Sequence, residues 1–364
     1  MRTEAELAAL TSVQAYAAHP TLASQLSLSW FAPPRIDDRI VYSTRPALYT
    51  AVLPVFNQQE ILGRFAQAHF ANAVMQHDLV VVFDCCTDES RAAFLQAVRE
   101  FKTARLSSLL TVSTPVPYFE TACDNLGFML ADTPLIIEYQ PDLMMATHAY
   151  DARLLSALSD ARVFCASGRC GHALRDAYPA PRRPWPLTWM QRLRARRDRI
   201  GLTGARLEKV GLQVDDTQPI GYLCETVNRG PVAFRSRDLR ALGLLDQANF
   251  FLGGDDHDLN LRAFLATGML PAYVPIRVGS KLSDGSTRKP RDALNARIFK
   301  SLSERSDHSV LRRFEGFYRP YCRPTPIRLD QPVRNNSSNS ESAPSAPDQP
   351  AESALPDATR SMRE

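Results

Sequence analysis

Apolar positions along the chain fall into two alternating rhythms. YTAVLPVF (49–56) is an almost unbroken apolar run of strand length, and the following QQEILGRFAQAHFANAV sets Ile61, Phe65 and Ala68 on one helical face. DLVVVFD (78–84) is the next run; Thr87 or Asp88 then caps a helix striped by Phe94, Val98 and Phe101. SSLLTVS (107–113) precedes a helix carrying Phe119, Ala122, Leu126 and Met129, and PLIIEYQ (134–140) is a fourth run. Continuous apolar runs predict strands covered on both faces, and helical crossovers make such strands parallel. The pattern predicts an α/β fold, a mostly parallel sheet flanked by helices.

The ends read differently. Residues 1–45 hold an amphipathic stretch (Ala5 to Ala18) followed by Pro-containing loops, which predicts an N-terminal helical extension. From 331 the chain becomes VRNNSSNSESAPSAPDQPAESALP from Val333 onward, rich in Ser, Pro and Asn and poor in large apolar residues; such a tail, 331–364, buries too little surface to offset ordering entropy and is expected to be disordered. The folded domain is expected over 46–330.

Composition adds limits. With 45% hydrophobic and 23% charged residues the chain reads as globular, and no run approaches the roughly 20 apolar residues of a membrane span. The start, MRTEAELAAL, lacks a secretory pattern, and seven scattered cysteines do not form a disulfide framework, so a cytoplasmic location is expected. Cys165, Cys170 and His172 in CASGRCGH match no standard zinc spacing; free thiols are the simpler reading. The formal charge of +4 is mild, yet MQRLRARRDR gathers Arg192, Arg194, Arg196, Arg197 and Arg199. That segment is either a solvated helix or a contact for phosphates or an anionic membrane surface. No interleaved aromatic and basic platform marks a nucleic-acid binder.

In open parallel sheets, ligands sit beyond the carboxyl ends of the strands. Here those ends carry Asn57, Asp84, Gln140 and Asp142. A carboxylate at Asp84 can cap a turn or meet a ligand. Farther along, GGDDHDLNLRAFL puts acids in the first turn of a helix, where the dipole stabilises each by about 0.3–1 kcal/mol. Three acids in four residues after Gly-Gly exceed what capping needs.

These residues resemble the family-2 glycosyltransferases. YTAVLPVFNQQEIL and VVVFDCCTDES look like the family's opening strand and its acidic turn. ACDNLGFMLADTPLIIEYQPD resembles its Ala-Arg-Asn-x-Gly helix and the strand ending in an Asp-x-Asp metal motif; NRGPVAFRSRDLRALGLLDQANFFLGGDDHDLNLRAFLATG resembles its acceptor block. Four blocks recur in the family's order across roughly residues 49–278.

The resemblance implies a GT-A-like, Rossmann-type domain with a nucleotide-sugar half (46–145) and an acceptor half (146–330). It implies that Pro54, Phe56, Asn57, Asp84, Asn125 and Gln140 bind the nucleotide-sugar, and that Asp142 holds a divalent cation, Mn2+ or Mg2+. It further implies that Asp256 is the general base, with Asp255 orienting an acceptor hydroxyl on a glycan or other acceptor. The implied activity is an inverting, metal-assisted hexosyl transfer. Departures are the Gln140-Pro141-Asp142 form of the metal motif, Phe83, Cys85 and Cys86 in the acidic turn, and Asp124 where a basic residue is common. A Gly- and Ser-containing segment with Lys281, Arg288, Lys289 and Arg291 either closes over the diphosphate or is solvated. A sugar nucleotidyltransferase would need a Gly-rich basic loop, which FNQQEIL does not supply. A silent nucleotide-sugar-binding protein of the same fold is the remaining alternative.

Overall fold

The computed structural model describes residues 33–172, 215–250, 253–280 and 324–330. The predicted N-terminal helix, the Arg192–Arg199 segment, the basic stretch from Lys281 to Arg291 and the 331–364 tail lie outside the described residues.

A strand-helix alternation builds the first half. Strand β1 (Arg35–Val41) is followed by β2 (Tyr49–Val55), helix α1 (Gln59–Asn72), β3 (His77–Asp84), α2 (Ser90–Phe101), β4 (Leu106–Thr114), α3 (Phe119–Leu130) and β5 (Leu135–Glu138). Each predicted strand and helix of this stretch is present within one or two residues of its expected bounds. The chain continues through β6 (Leu143–Met145), α4 (Tyr150–Ala157), β7 (Val163–Ser167), β8 (Gly171–His172), β9 (Ile220–Leu223), β10 (Thr226–Val227) and β11 (Val232–Arg235). It closes with α5 (Ser236–Ala241), α6 (Asp255–Thr267), β12 (Leu270–Tyr273), β13 (Val278–Ser280) and β14 (Thr325–Arg328).

The main sheet has ten strands in the order β1-β4-β3-β2-β5-β11-β7-β12-β9-β14. Strands β4, β3, β2 and β5 are mutually parallel, as the unbroken apolar runs require. Strand β11 enters antiparallel between β5 and β7, and β12 pairs parallel with β7. Two cores cover the two faces. Leu53, Val81, Phe83 and Leu109 pack with Leu62, Phe65, Phe94 and Leu154 on one side. Val52, Val80, Val82, Leu110 and Val112 pack with Leu126, Met129, Leu259 and Ala263 on the other. Burying a side chain such as Phe94 completely is worth about 1.5–3 kcal/mol. The α3 helix lies so close to β2 that a Cβ on Gly127 would stand 2.2 Å from Val52 Cγ1, which explains a glycine in mid-helix.

One boundary differs from expectation. Residues 35–41, assigned above to a helical extension, form β1 and pair antiparallel with β4. RIDDRIV hides its strand character because Asp37 and Asp38 interrupt the apolar pattern. Asp38 is used: it accepts from Arg91 Nη2 at 2.7 Å and Thr111 Oγ1 at 2.6 Å. No described helix is long and apolar enough to cross a membrane.

A buried polar chain crosses the interface of α1, β3 and α4. His77 Nδ1 lies 3.0 Å from the Met75 carbonyl, which can only accept, so this nitrogen carries a proton. His77 Nε2 lies 3.1 Å from His69 Nε2, His69 Nδ1 lies 2.7 Å from the Tyr150 hydroxyl, and that hydroxyl donates to Tyr139 at 3.1 Å. Burial holds both imidazoles below their ordinary value of 6.5, with the neighbouring ring pushing His69 down further. Below that value the unfolded chain binds protons the folded chain refuses, so stability falls on acidification by up to about 2.7 kcal/mol per pH unit for two rings. Urea unfolding of wild type and His77→Gln should show the stability difference between them moving against the wild type by up to about 1.4 kcal/mol per pH unit as pH falls below about 6.5; a difference that does not change with pH would remove His77 from this role.

Candidate functional site

The carboxyl ends of β2, β3 and β5 and the first turns of α1, α2, α3 and α6 meet at one edge of the sheet. The loops after β2 and β3 are tied together. Asn57, at a left-handed φ of 50°, accepts from the Thr87 amide at 2.8 Å. Asp88 accepts from the Gln59 amide at 3.2 Å and the Ser90 amide at 3.1 Å, while Gln59 Oε1 accepts from the Glu89 amide at 2.8 Å. The first turns of α1 and α2 therefore cap each other, satisfying amides that a helix start leaves open.

Asp84, at the tip of β3, is 5% exposed and fully engaged. It accepts from the Tyr118 amide at 2.6 Å, Thr114 Oγ1 at 2.9 Å and the Phe119 amide at 3.0 Å. Burial raises its carboxyl, and these donors pull it back in part. Its present work is to cap the start of α3. Phe119 itself has a left-handed φ of 65°.

The α3 helix then delivers Glu120, Thr121, Asp124 and Asn125. Asn125 is buried and joins α3 to the 245–247 segment through Leu245 and Gln247. Glu120, Asp124 and Glu138, the last residue of β5, bring carboxylate oxygens within 4.8 Å of one another. Arg229 enters among them from the loop between β10 and β11. It pairs with Asp124, with Asp255 Oδ2 at 2.8 Å, with Glu120 Oε1 at 3.5 Å and with Glu138 Oε1 at 3.8 Å. The Gly230 amide donates to Glu138 Oε2 at 3.0 Å. Gln140 bridges the group outward, donating to Glu120 Oε1 at 2.7 Å and accepting from Arg169 Nη1 at 2.9 Å.

Gly253 and Gly254, both at left-handed φ (78° and 89°), turn the chain into α6, a backbone only glycine adopts freely. The three acids beyond them have separate tasks. Asp258 accepts from Arg262 Nε at 2.8 Å, an i,i+4 pair within the helix. Asp255 is wholly buried, bonded to Thr121 Oγ1 at 2.8 Å and paired with Arg229. Asp256 is 9% exposed; the His257 amide reaches its Oδ1 at 2.8 Å, and the Arg229 amide and Asn228 Nδ2 reach its Oδ2 at 3.3 and 3.4 Å.

The electrostatics separate these neighbours. Burial, opposed by Arg229, pushes Asp255 up to about 6 and Glu138 up to about 7. Asp124 is driven well above the carboxylate range for the same reason. Burial also disfavours charge on Asp256, but His257, Arg229 and two backbone amides outweigh it and hold its pKa below the ordinary value. The two adjacent carboxyls are thus displaced in opposite directions, Asp255 upward and Asp256 downward.

Among the nucleotide-sugar residues implied by the resemblance, Asn57 ties the loops after β2 and β3, Asp84 caps α3, Asn125 bonds to the 245–247 segment, and Gln140 joins the acid group around Arg229. Phe56 is half-buried, whereas Pro54 is buried inside β2 against β3. Asp142 is half-buried and is not one of the three converging carboxylates. The sequence reading did not pick out Glu120, Glu138, Arg169 or Arg229 as site residues. The one available signal was Asp124: an acid in a basic position calls for a cation from elsewhere, and NRG supplies it. Two oxygens, Asp124 Oδ1 and Glu138 Oε1, are buried without a hydrogen-bond partner. With Glu120 they form a hard oxygen set suited to Mg2+ or Mn2+. The Cys165 and Cys170 thiols are hydrogen-bonded to Asn260 and Asn228.

No protein-family model and no curated protein matches the chain. Among solved structures, it is similar to GalNAc-T7 with UDP, GalNAc and Mn2+ (15% identity, 77% of this chain, 53% of that one, TM-score 0.48). It is also similar to the mannosyltransferase PcManGT from Pyrobaculum calidifontis with GDP-Man and Mn2+ (16%, 85% and 76%, 0.46). A third is glucosyl-3-phosphoglycerate synthase from Mycobacterium tuberculosis with Mn2+, UDP and glucosyl-3-phosphoglycerate (13%, 79% and 88%, 0.43). The chain spans about half the length of the first. At these identities and TM-scores the likenesses are general ones of shape.

Replacing Arg229 with Gln leaves four carboxylates without their cation, a loss of about 3–5 kcal/mol by the cost of breaking a buried pair. Lower pH should restore part of it, since protonation removes the unbalanced charge. Denaturant titration at neutral pH and near pH 5 should show a larger deficit at neutral pH.

Proposed function

We propose that the chain is a glycosyltransferase that moves a sugar from a nucleotide-sugar to an acceptor hydroxyl, inverting the anomeric carbon. The observation that carries this reading is the placement of Asp256 at the head of α6, Oδ1 held by the His257 amide at 2.8 Å and Oδ2 by contacts of 3.3 and 3.4 Å, in the block that resembles the family's acceptor region. An ionised carboxylate with one oxygen held only by long contacts suits a general base. Asp256 Oδ2 would take the acceptor proton as the hydroxyl attacks the anomeric carbon opposite the leaving nucleotide. Asp255, anchored by Thr121 and Arg229, would position its neighbour and the acceptor. Gln140 and Arg169 face the end of β5, where the diphosphate would lie, and Arg169 offers positive charge to it. Asn57 and the loops joined by Asp88 would border the nucleoside.

Glu120, Asp124 and Glu138 would hold a divalent cation, with Asp142 a further candidate from the resemblance. When bound, the ion would supply positive charge to the departing diphosphate. Proton transfer and orientation remain the work of the side chains.

A thermal-shift screen of UDP, GDP and their glucose, N-acetylgalactosamine and mannose conjugates, with and without Mn2+, should identify one base by a raised Tm. With that donor, Asp256→Asn should lose about 100- to 10,000-fold in transfer while keeping nucleotide affinity. Binding without transfer or hydrolysis by the intact protein would instead favour a silent sugar-nucleotide receptor. Mn2+ titration followed by the signal of the free ion should show binding that Glu138→Gln weakens at least tenfold; equal affinity in both would remove Glu138 from the ion site.

A further inference from the structure

A second polar chain stands behind Asp256. Asn260 turns its amide nitrogen to the Val227 carbonyl at 3.3 Å and to Thr226 Oγ1 at 3.1 Å. Because a carbonyl only accepts, this contact fixes which way the amide points. Its oxygen accepts from the Cys165 thiol at 3.3 Å. Thr226 is wholly buried and its hydroxyl needs an acceptor; among the described residues the one within reach is His257 Nδ1 at 2.5 Å. Nδ1 therefore accepts, and the ring proton sits on Nε2. That nitrogen faces Asp256 Oδ1 across 3.6 Å, an electrostatic contact longer than a hydrogen bond.

The consequence is an asymmetric carboxylate. Oδ1 faces two N–H groups of one residue, the amide and the ring of His257. Among the described residues, Oδ2 meets the Arg229 amide and Asn228 Nδ2, at 3.3 and 3.4 Å. The charged and titratable groups facing this carboxylate are His257, Arg229, Asp255 and Cys165. We propose that His257, locked by Thr226 and Asn260 with its proton on Nε2, is a positioning residue that anchors Asp256 Oδ1 and leaves Oδ2 to receive the acceptor proton. The assignment of that proton to Oδ2 rests on the glycosyltransferase reading above; the tautomer and the pairing do not.

Both can be read without substrate. In full-length protein labelled with 15N in its seven histidine rings, the His257 signal is the one lost in His257→Gln. It should show Nε2 protonated and Nδ1 bare near neutral pH. Thr226→Val, which keeps the side-chain shape and removes the hydroxyl, should lose that single-tautomer pattern, and Thr226→Ser should keep it. With 13C-labelled aspartate, the Asp256 carboxyl, identified by its loss in Asp256→Asn, should titrate at higher pH in His257→Gln and in Thr226→Val than in wild type or Thr226→Ser. A His257 ring protonated on Nδ1 alone, or an Asp256 titration unchanged in Thr226→Val, overturns the proposal. If His257→Gln does not fold, the Val and Ser variants at 226 decide it. Sugar transfer at the wild-type rate by Asp256→Asn would refute the general-base reading separately, leaving the tautomer result to stand on its own.

Discussion

The site is organised by one guanidinium buried among carboxylates. Arg229 is all but inaccessible, and it reaches acids from α3, β5 and α6, three elements far apart in the chain. Taking such a charge out of water is costly, and only several opposed charges at close range offset it. The reverse holds for the acids: without Arg229 they would repel one another at the place where the two halves of the sheet join. The cation therefore fixes how the β5 tip, the first turn of α3 and the head of α6 stand relative to each other. Its carboxyls outnumber it, and Asp124 Oδ1 and Glu138 Oε1 are buried without a hydrogen-bond partner.

The same network explains an electrostatic division that composition gives no hint of. Asp255 and Asp256 are adjacent in sequence, yet their carboxyls are displaced in opposite directions because one is sealed among like charges and the other faces amides and an imidazole. The acid cluster and the histidine chain between α1 and β3 also pull stability in opposite senses. Carboxyls raised in the folded state favour folding below their folded pKa values, whereas imidazoles buried neutral oppose folding below 6.5. The two slopes overlap between about pH 4.5 and 6.5 and partly cancel.

Much of the architecture was legible in the chain because the parallel strands are buried on both faces. Runs such as VVVF and LIIE have no other economical use, and the helices between them carry apolar stripes at helical spacing. β1 was not legible, since a strand that spends Asp37 and Asp38 on ion pairs and hydroxyls does not look apolar. The site divided in the same way. Asp255, Asp256 and Asp258 announced themselves as a cluster, but their separate tasks depend on Arg229, His257 and Arg262, which only the tertiary structure brings to them. Arg229 itself lies in the unremarkable tripeptide NRG. Its meaning appears only when Asp124, more than a hundred residues earlier, is seen to stand where a basic side chain was expected.

Asp84 caps α3 with both of its oxygens, so it is not an idle acceptor waiting at the sheet edge. Any molecule that donated a hydrogen bond to this carboxylate would compete with the amides of Tyr118 and Phe119, and the residue immediately following them is Glu120. Occupancy at the end of β3 would then be felt as slack in the opening turn of α3, and through Glu120 as a weakened grip on Arg229. The cap on α3 and the charge balance around Arg229 thereby share a single helical turn.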